Sequence, residues 1–224
     1  MNPNLVMIGT RSRPQNAVRA FEALKNVSVE SDFLIIINED QKDLYPEIEG
    51  VKREIVPTPF GPNEKGNYVV HKYWDSYSSI SGIDDDCLVQ THGWDAIITE
   101  PIKKRGYGIS YGNDGMQSDS LPTKVTISTN ILKSLGFFSP RVLKHSFCDD
   151  FWKMLGESLN ALDYFENVNM EHLHWLNGKA PKDETYELNT VEQYKKDKDA
   201  YSLYLRDEFH LDIWRVREAL GIDG

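Results

Sequence analysis

Residues 83–97, IDDDCLVQTHGWDAI, place three consecutive aspartates directly after a weakly apolar strand that we predict over residues 78–83. Adjacent carboxylates repel one another unless a cation lies among them, and a divalent metal ion is the simplest such cation. In an extended segment Asp84 and Asp86 point to the same side, so that one can hold ribose or metal-bound water while the other binds the ion. On its own the triplet is more typical of an acidic turn or helix cap, so its context must decide.

That context is an alternation of buried strands and helices. Residues 5–8 and 33–37 are apolar runs suited to buried strands, and between them Pro14 begins a predicted helix with three inward positions, Ala17, Phe21 and Leu24. Such alternation predicts a Rossmann-like α/β domain with a mainly parallel central sheet, in which ligands bind beyond the carboxyl ends of the strands. The strand that ends at the triplet is the fourth of this series.

The other elements follow from periodicity and turn residues. Residues 57–66, PTPFGPNEKG, predict a loop, and a helix should follow because three apolar residues recur at helical spacing, Val70, Trp74 and Tyr77. Farther along we predict a strand and several helices, namely a strand at 106–111, helices at 129–135 and 149–159, and one or two C-terminal helices over 190–220.

Composition excludes several classes of protein. The net charge of −10 argues against broad binding to a nucleic-acid backbone, and the basic residues 103–105 are more typical of a solvated helix end. No apolar run is long enough to span a bilayer, and the N-terminus lacks the pattern of a signal peptide. Together with only two cysteines, this predicts a cytoplasmic protein with no membrane partner.

The segment IDDDCLVQTHGWDAI resembles the DXD region of GT-A fold glycosyltransferases, especially the small family-2-like enzymes of phage and bacterial genomes, in which acids after a strand precede a Gly-Trp-Asp turn. Residues 9–24 resemble the first βα unit of that family, and residues 38–45 resemble the segment that meets the nucleotide base. The resemblance implies a single GT-A domain over 1–224, made of three parts: a nucleotide-binding half (about 1–100), an acceptor and metal half (about 101–190) and a helical tail (about 190–224).

The resemblance implies that Thr10, Arg11 and Arg13 lie near the diphosphate of a nucleotide-sugar donor, and that Asp40 lies near its base. The physical chemistry agrees, because a helix N-terminus with guanidinium groups binds anions strongly. The alternative is a pair of exposed arginines that flank a helix-capping serine.

Further donor-binding candidates are more weakly indicated. Lys65 and Asn67 precede the second helix, and Asp84 and Asp85 belong to the triplet. Tyr111-Gly-Asn-Asp-Gly resembles a family segment in which Asp114 would hydrogen-bond sugar hydroxyls, although the same residues are typical of a plain turn. The following LPT stretch departs from the family pattern, because Lys124 stands where a histidine is expected.

The pattern Glu171-His172-Leu173-His174 indicates the remaining metal ligands. On an extended strand both imidazoles would lie on one face, and in GT-A enzymes a C-terminal histidine often completes the coordination that the aspartates begin. The resemblance therefore implies Mn²⁺ or Mg²⁺ bound by Asp86 and by His172 or His174, with His172 preferred.

Catalysis of an inverting transfer requires a carboxylate that takes the proton of the acceptor hydroxyl. Residues 145–152, HSFCDDFW, resemble the acidic motif at the start of the helix beneath the acceptor site, where the helix N-terminus favours the ionised form. Asp149 is the preferred base. Asp150 is the second candidate, and either residue could instead cap the helix.

The sequence thus predicts a metal-dependent glycosyltransferase that moves a sugar from a nucleoside diphosphate donor, expected to be UDP-linked, to a hydroxyl of a small molecule, a glycan or a modified DNA base. A hydroxymethylated phage base is suggested by analogy alone, and the acidity weakens it. A sugar-phosphate nucleotidyltransferase would need a glycine-rich loop, and residues 9–14 are poor in glycine. A non-catalytic binding protein for nucleotide sugars or carbohydrates would need no base at position 149.

Overall fold

The chain folds around one mixed sheet in a computed structural model that describes residues 2–187 and 190–222. Within these residues the strands are β1 (Asn2–Thr10), β2 (Ser31–Asn38), β3 (Lys52–Val56), β4 (Tyr77–Asp84), β5 (Cys87–Val89), β6 (Ile109–Asn113), β7 (Val125–Ser128) and β8 (Leu162–His172). The helices are α1 (Pro14–Val27), α2 (Pro62–Tyr73), α3 (Trp94–Arg105), α4 (Thr129–Leu135), α5 (Cys148–Ser158), α6 (Glu184–Glu187), α7 (Val191–Asp207) and α8 (Phe209–Leu220). Short 3-10 turns occupy Glu39–Leu44, Ser118–Ser120 and Trp175–Asn177.

The strand order is β3-β2-β1-β4-β7-β6-β8-β5. The four N-terminal strands run parallel, β6 and β8 are also parallel, and β7 and β5 pair antiparallel to their neighbours. The mainly parallel sheet of a Rossmann-like α/β domain is therefore confirmed. Because β1 and β4 are adjacent and parallel, their carboxyl ends meet, and Gly9 pairs with Asp84 there.

The core lies on both faces of this sheet, because β1 is buried on both sides and its side chains alternate. Leu5 and Met7 face a cluster that includes residues of α2, α4, α5, α7 and α8, whereas Val6 and Ile8 face α1 and α3. The tail helices contribute Tyr201 from α7 and Val216 from α8 to the first of these clusters and are part of the core. Within the described residues, no helix has the length and apolarity needed to cross a membrane.

Most predicted elements are present, and the differences have local causes. The predicted loop over 57–66 is too long, because Pro62 already occupies the first turn of α2. That helix ends at Tyr73, so Tyr77 is the first residue of β4 and its helical spacing from Val70 is coincidental. The strand predicted from residue 106 begins only at Ile109. The polar edge strand β3 and the short strands β5 and β7 were not predicted.

Candidate metal and donor site

The triplet lies at the carboxyl end of β4, and the antiparallel pairing of β5 with β8 brings the second half of the chain to it. Cys87 pairs with His172, so the imidazole at the end of β8 lies beside the carboxylates that precede β5. The backbone N–H of Leu173 also donates to the carbonyl of Asp86. Asp86 and His172, which are 86 positions apart in sequence, thereby lie in one site.

Asp84, Asp86 and His172 form a cluster that could hold a metal ion. One ligand atom of each lies within 4.8 Å of the others. Oδ1 of Asp86 is buried and accepts no hydrogen bond from the described residues, while Nε2 of His172 lies 3.3 Å from it without hydrogen-bond geometry. Two carboxylates and an imidazole suit Mn²⁺ or Mg²⁺, and a buried carboxylate oxygen without a donor is the atom that a cation would satisfy.

His174 lies outside that cluster. Strand β8 ends at His172, so the two histidines do not share one strand, and the backbone at His174 is still extended. Nδ1 of His174 accepts the N–H of Leu176 at the start of a 3-10 turn, although the two imidazole centroids are only 5.2 Å apart. The geometry favours His172 as the ligand, and a metal-binding role for His174 stays a prediction.

Thr10 and Asp85 form a hydrogen bond with each other at the carboxyl ends of β1 and β4. The Thr10 hydroxyl donates to Oδ2 of Asp85 over 2.6 Å, and both residues are buried. Burial raises the pKa of Asp85 to about 7, and the neighbouring charge of Asp86 acts in the same direction. Both side chains lie at these strand ends, which their hydrogen bond links. Their contact with a donor stays a prediction.

Arg13 is buried among acids, which differs from the exposed arginine of the alternative interpretation. Its guanidinium lies 3.4 Å from Asp85 and 3.3 Å from Asp86, and it forms a bidentate pair with Asp183. It also lies 4.4 Å from the ring centroid of Tyr186, whose hydroxyl donates to Asp86. Burial opposes its charge, but the hydrogen bonds that Arg13 donates to Asp183 and the charges of the nearby carboxylates raise the pKa of Arg13. The main role of Arg13 is therefore to balance the negative charge of the three aspartates.

Arg11 and Asp40 form an exposed pair at the mouth of the site. Both terminal nitrogens of Arg11 donate to the Asp40 carboxylate, at 3.1 and 2.9 Å. The hydrogen bond from Arg11 lowers the pKa of Asp40, and a second one from Thr58 adds to this. Exposed ion pairs contribute little to stability, so Arg11 can exchange this partner for a phosphate at small cost.

Lys65 and Asn67 have separate roles. Lys65 is 4% exposed and its ammonium donates to the carbonyl of Thr10, next to the triplet. Burial lowers the pKa of Lys65 to about 8. The amide of Asn67 instead binds the backbone of Phe138 and Ser139, so the structure gives it a loop-holding role and no support for donor binding.

Asp114 is 2% exposed and hydrogen-bonds the turn that follows it, and its predicted contact with a sugar stays a prediction. One carboxylate oxygen accepts three backbone N–H groups, from Met116, Gln117 and Ser118. The other accepts the hydroxyl of Thr123 and lies 3.9 Å from Nδ1 of His172. Burial opposes ionisation, but the nearby His172 imidazole and the backbone hydrogen bonds hold the pKa of Asp114 well below its usual range. The plain-turn alternative is therefore supported, and the carboxylate lies behind the imidazole of His172, which is a candidate metal ligand.

Lys124 is a site residue whose role was not predicted. Its side chain is 1% exposed, and its ammonium donates to Oδ2 of Asp84 over 2.7 Å. Although burial opposes the charge, Asp84 and Asp86 raise the pKa of Lys124, so the lysine stays charged. The sequence carried a signal, since a lysine directly before the buried strand VTIS needs a carboxylate partner.

Asp149 lies in the first turn of α5 on the Asp84–Lys124 side of the site. It is partly buried, and burial raises its pKa to about 6, with the charge of Lys124 opposing and that of Asp84 adding to the shift. Neither Asp149 nor Asp150 caps the helix, because Phe147 occupies the N-cap and accepts no hydrogen bond with its side chain. The capping alternative is thus wrong, and the roles of both acids in catalysis stay predictions.

The raised pKa of Asp149 predicts a pH dependence of stability. Between about pH 4 and 6 the folded chain keeps a proton that the unfolded chain releases, so the unfolding free energy falls as pH rises through this window. Asp149→Asn removes this fall, and the variant should gain on the order of 1–3 kcal/mol over the parent between pH 4 and 7. Urea unfolding at both pH values with chelator present measures this difference. A stability difference that does not change with pH would contradict the assignment.

The chain matches no protein-family model and no curated protein sequence, but it is similar to solved structures. One is the mannosyltransferase PcManGT from Pyrobaculum calidifontis, in complex with GDP-Man and Mn²⁺, at 11% identity, a TM-score of 0.58 and coverage of 97% of this chain and 74% of that one. Another is glucosyl-3-phosphoglycerate synthase from Mycobacterium tuberculosis with Mn²⁺, UDP-Glc and phosphoglyceric acid, at 12% identity, a TM-score of 0.58 and coverage of 100% and 81%.

A third is the catalytic domain of Drosophila β1,4-galactosyltransferase 7 with xylobiose, at 12% identity, a TM-score of 0.56 and coverage of 88% and 80%. All three are glycosyltransferases, and two of them are bound to a nucleotide sugar and Mn²⁺. The fold is the GT-A fold. At these identities the similarity establishes the fold alone.

Proposed function

We propose that this chain is a metal-dependent glycosyltransferase that transfers a sugar from a nucleoside diphosphate donor to a hydroxyl group. The observation that carries the proposal is the Asp84–Asp86–His172 cluster, because it lies at the carboxyl ends of the parallel strands, where this architecture binds ligands. The similar structures with Mn²⁺ and nucleotide sugars support the same reading.

Asp86 and His172 would hold the cation directly, with Asp84 as a third ligand or as a ligand of the ribose. When bound, Mn²⁺ or Mg²⁺ would neutralise the charge of the departing diphosphate. The ammonium of Lys124 and the guanidinium of Arg13 hold Asp84 and Asp86 in place before the ion arrives. Asp114 would fix the orientation of the His172 ring.

Asp149 would act as the base. As the acceptor oxygen bonds to the anomeric carbon and the nucleoside diphosphate leaves, the hydroxyl proton would pass to the Asp149 carboxylate. A pKa of about 6 leaves this group ionised at neutral pH, yet a better proton acceptor than an ordinary aspartate. Asp150, one position farther along α5, is the alternative base.

We propose a UDP-linked donor and a small-molecule or glycan acceptor. UDP-Glc is bound in one of the similar structures and GDP-Man in another, so the donor must be tested directly. A DNA base is less favoured, because the basic residues at the end of α3 already pair with acids, namely Lys103 with Glu30, Lys104 with Glu100 and Arg105 with Asp163.

Release of nucleotide from a panel of nucleotide sugars tests this function. The purified chain should release nucleoside diphosphate from one donor with Mn²⁺ present, and a chelator should stop the release. The panel must include UDP-linked and GDP-linked hexoses, each with simple sugars as acceptors. Tight binding of a donor without release, for every acceptor offered, would instead indicate a non-catalytic binding protein. Release of pyrophosphate from a nucleoside triphosphate and a sugar phosphate would indicate a nucleotidyltransferase.

Arg11 offers a test of where the diphosphate lies. Arg11→Ala should weaken UDP binding in the presence of Mn²⁺ by about 10- to 100-fold, since one charged hydrogen-bonding partner contributes about 1.5–3 kcal/mol. The melting temperature of Arg11→Ala should equal that of the parent chain, because the ion pair between Arg11 and Asp40 is exposed. Arg19→Ala, at an exposed position of α1, serves as the control in calorimetric titrations. Equal affinities in both variants would place the phosphates elsewhere.

A further inference from the structure

The carboxylate of Asp197, on helix α7 of the tail, is buried and fully hydrogen-bonded to a single loop. The residue is 1% exposed. Its Oδ2 accepts the backbone N–H of His145 at 2.9 Å and of Ser146 at 2.8 Å, and its Oδ1 accepts the N–H of Lys144 at 3.2 Å. Gln193, one turn earlier on α7, also donates to Oδ1. Three consecutive N–H groups therefore converge on one charged side chain.

That loop leads directly into the first turn of α5. Phe147 follows it with a positive φ of 68°, which is unusual for an aromatic residue, and Asp149 lies two residues later. The ring of Phe147 stacks on Tyr201 and contacts Tyr194, both on α7, at centroid distances of 5.5 and 5.1 Å. Helix α7 thus holds the backbone before the turn and the side chain within it.

The other side of the loop is packed against the donor half. The carbonyl of Lys144 lies so close to Gly61, at the N-cap of α2, that a Cβ at position 61 would be 2.9 Å from it. Burial lowers the pKa of His145 and the charges of Asp84 and Asp197 oppose this, so the loop lies within electrostatic range of the triplet. Contacts with α2 on one side and with α7 on the other therefore fix the position of the loop.

We propose that Asp197 is a positioning residue for transfer: by fixing the backbone of residues 144–146, it holds Asp149 at the working distance from the Asp84–Asp86–His172 cluster. This inference rests on the proposed function. The helical tail, through Asp197 on α7, thereby takes part in positioning the proposed base. The role requires a carboxylate, whose two oxygens both accept hydrogen bonds. In an asparagine the NH₂ group replaces one of these oxygens, and it cannot accept a hydrogen bond from the backbone N–H that it would face. A backbone shift of about 1 Å is enough to cost up to about 100-fold in rate.

Asp197→Ala tests the proposal against a matched control, Asp95→Ala. Asp95 is also buried and accepts the N–H groups of a loop, Val29 and Glu30, but it lies at the amino end of β2, the opposite end of the sheet from the cluster. Both variants lose a buried carboxylate, so their melting temperatures should fall below that of the parent by similar amounts. Asp197→Asn, which keeps one acceptor oxygen, replaces the alanine variant if that variant does not fold.

Three measurements are made on each full-length variant: amide hydrogen exchange, calorimetric affinity for UDP with Mn²⁺, and kcat for the donor identified in the panel. In Asp197→Ala we expect faster exchange at residues 144–146, UDP affinity within twofold of the parent and kcat at least tenfold lower. In Asp95→Ala we expect faster exchange at residues 29–30 and an unchanged kcat.

Two results would overturn the positioning role. Unchanged exchange at residues 144–146 would show that Asp197 does not anchor the loop. Equal kcat values in the two variants, at similar melting temperatures, would show that the anchor is structural only. An inactive parent chain would overturn the proposed function and the positioning role with it, whereas the exchange data would still decide whether Asp197 holds the loop.

Discussion

Replacing Asp86 by asparagine is expected to abolish Mn²⁺ binding and to lower sugar transfer by at least about 100-fold. Oδ1 of this carboxylate is buried and accepts no hydrogen bond from the residues that the structure describes, and Oδ2 accepts from Tyr186 and Arg13. The substitution keeps the shape of the side chain but removes its charge, so the buried Arg13 loses part of its counter-charge and the cation loses its central ligand. The effect should therefore appear first in metal affinity.

Electron paramagnetic resonance of free Mn²⁺ measures that affinity, and nucleotide release measures the transfer. Asp119→Asn, in an exposed 3-10 turn, is the control and should behave as the parent chain. His172→Ala should resemble Asp86→Asn, whereas His174→Ala should retain the ion, which decides between the two histidines. Parent-like Mn²⁺ affinity in Asp86→Asn would move the metal site away from the triplet.

Asp149→Asn is expected to separate donor binding from catalysis. The donor would be held by the strand ends of the N-terminal half and by His172, so its metal-dependent affinity should stay within about twofold of the parent. Transfer should fall by about 10²–10⁴-fold, the range attributed to general bases. Because Asp149 lies beside Lys124 and Asp84 and is only partly buried, the amide should fit without disturbing α5.

Asp150→Asn is the matched control, since it makes the same change one position along the same helix. Single-turnover transfer and UDP titration should be run on both variants. If Asp150→Asn is the well-folded inactive variant, the two roles are exchanged. If both variants turn over like the parent, the base lies elsewhere, or the enzyme retains configuration and uses the leaving phosphate to assist the acceptor.

The parts of the fold that follow a single local period were predictable from sequence. Helix α4 was predicted with its observed bounds, because Gly136 ends it and apolar residues mark its buried face. The parallel strands β1 and β2 were predictable because they are buried on both faces and are therefore continuously apolar. Strand β3 has the sequence KREIV and lies at the sheet edge, so no apolar run indicated it.

The site was predictable only where acids or histidines are clustered in sequence. The triplet and His172 were identified in this way. The partners that complete the site come from distant segments: Lys124 reaches Asp84 across 40 positions, and Asp183 reaches Arg13 across 170. Nothing local distinguishes a buried arginine from an exposed one, which is why Arg13 was predicted to meet phosphate and was found among carboxylates. Which distant residues pair in this way depends on how the strands are arranged in the fold, and local sequence does not reveal it.

Calorimetric titration of UDP into the parent chain, with Mn²⁺ and then with chelator, tests the central claim most directly. With Mn²⁺ the cluster of Asp84, Asp86 and His172 should bind one UDP per chain, because the cation shields the diphosphate from the triplet. With chelator the affinity should fall at least tenfold, and Asp86→Asn should show the weak affinity under both conditions. Equal affinity with and without the metal, in both proteins, would contradict a metal-bridged donor site.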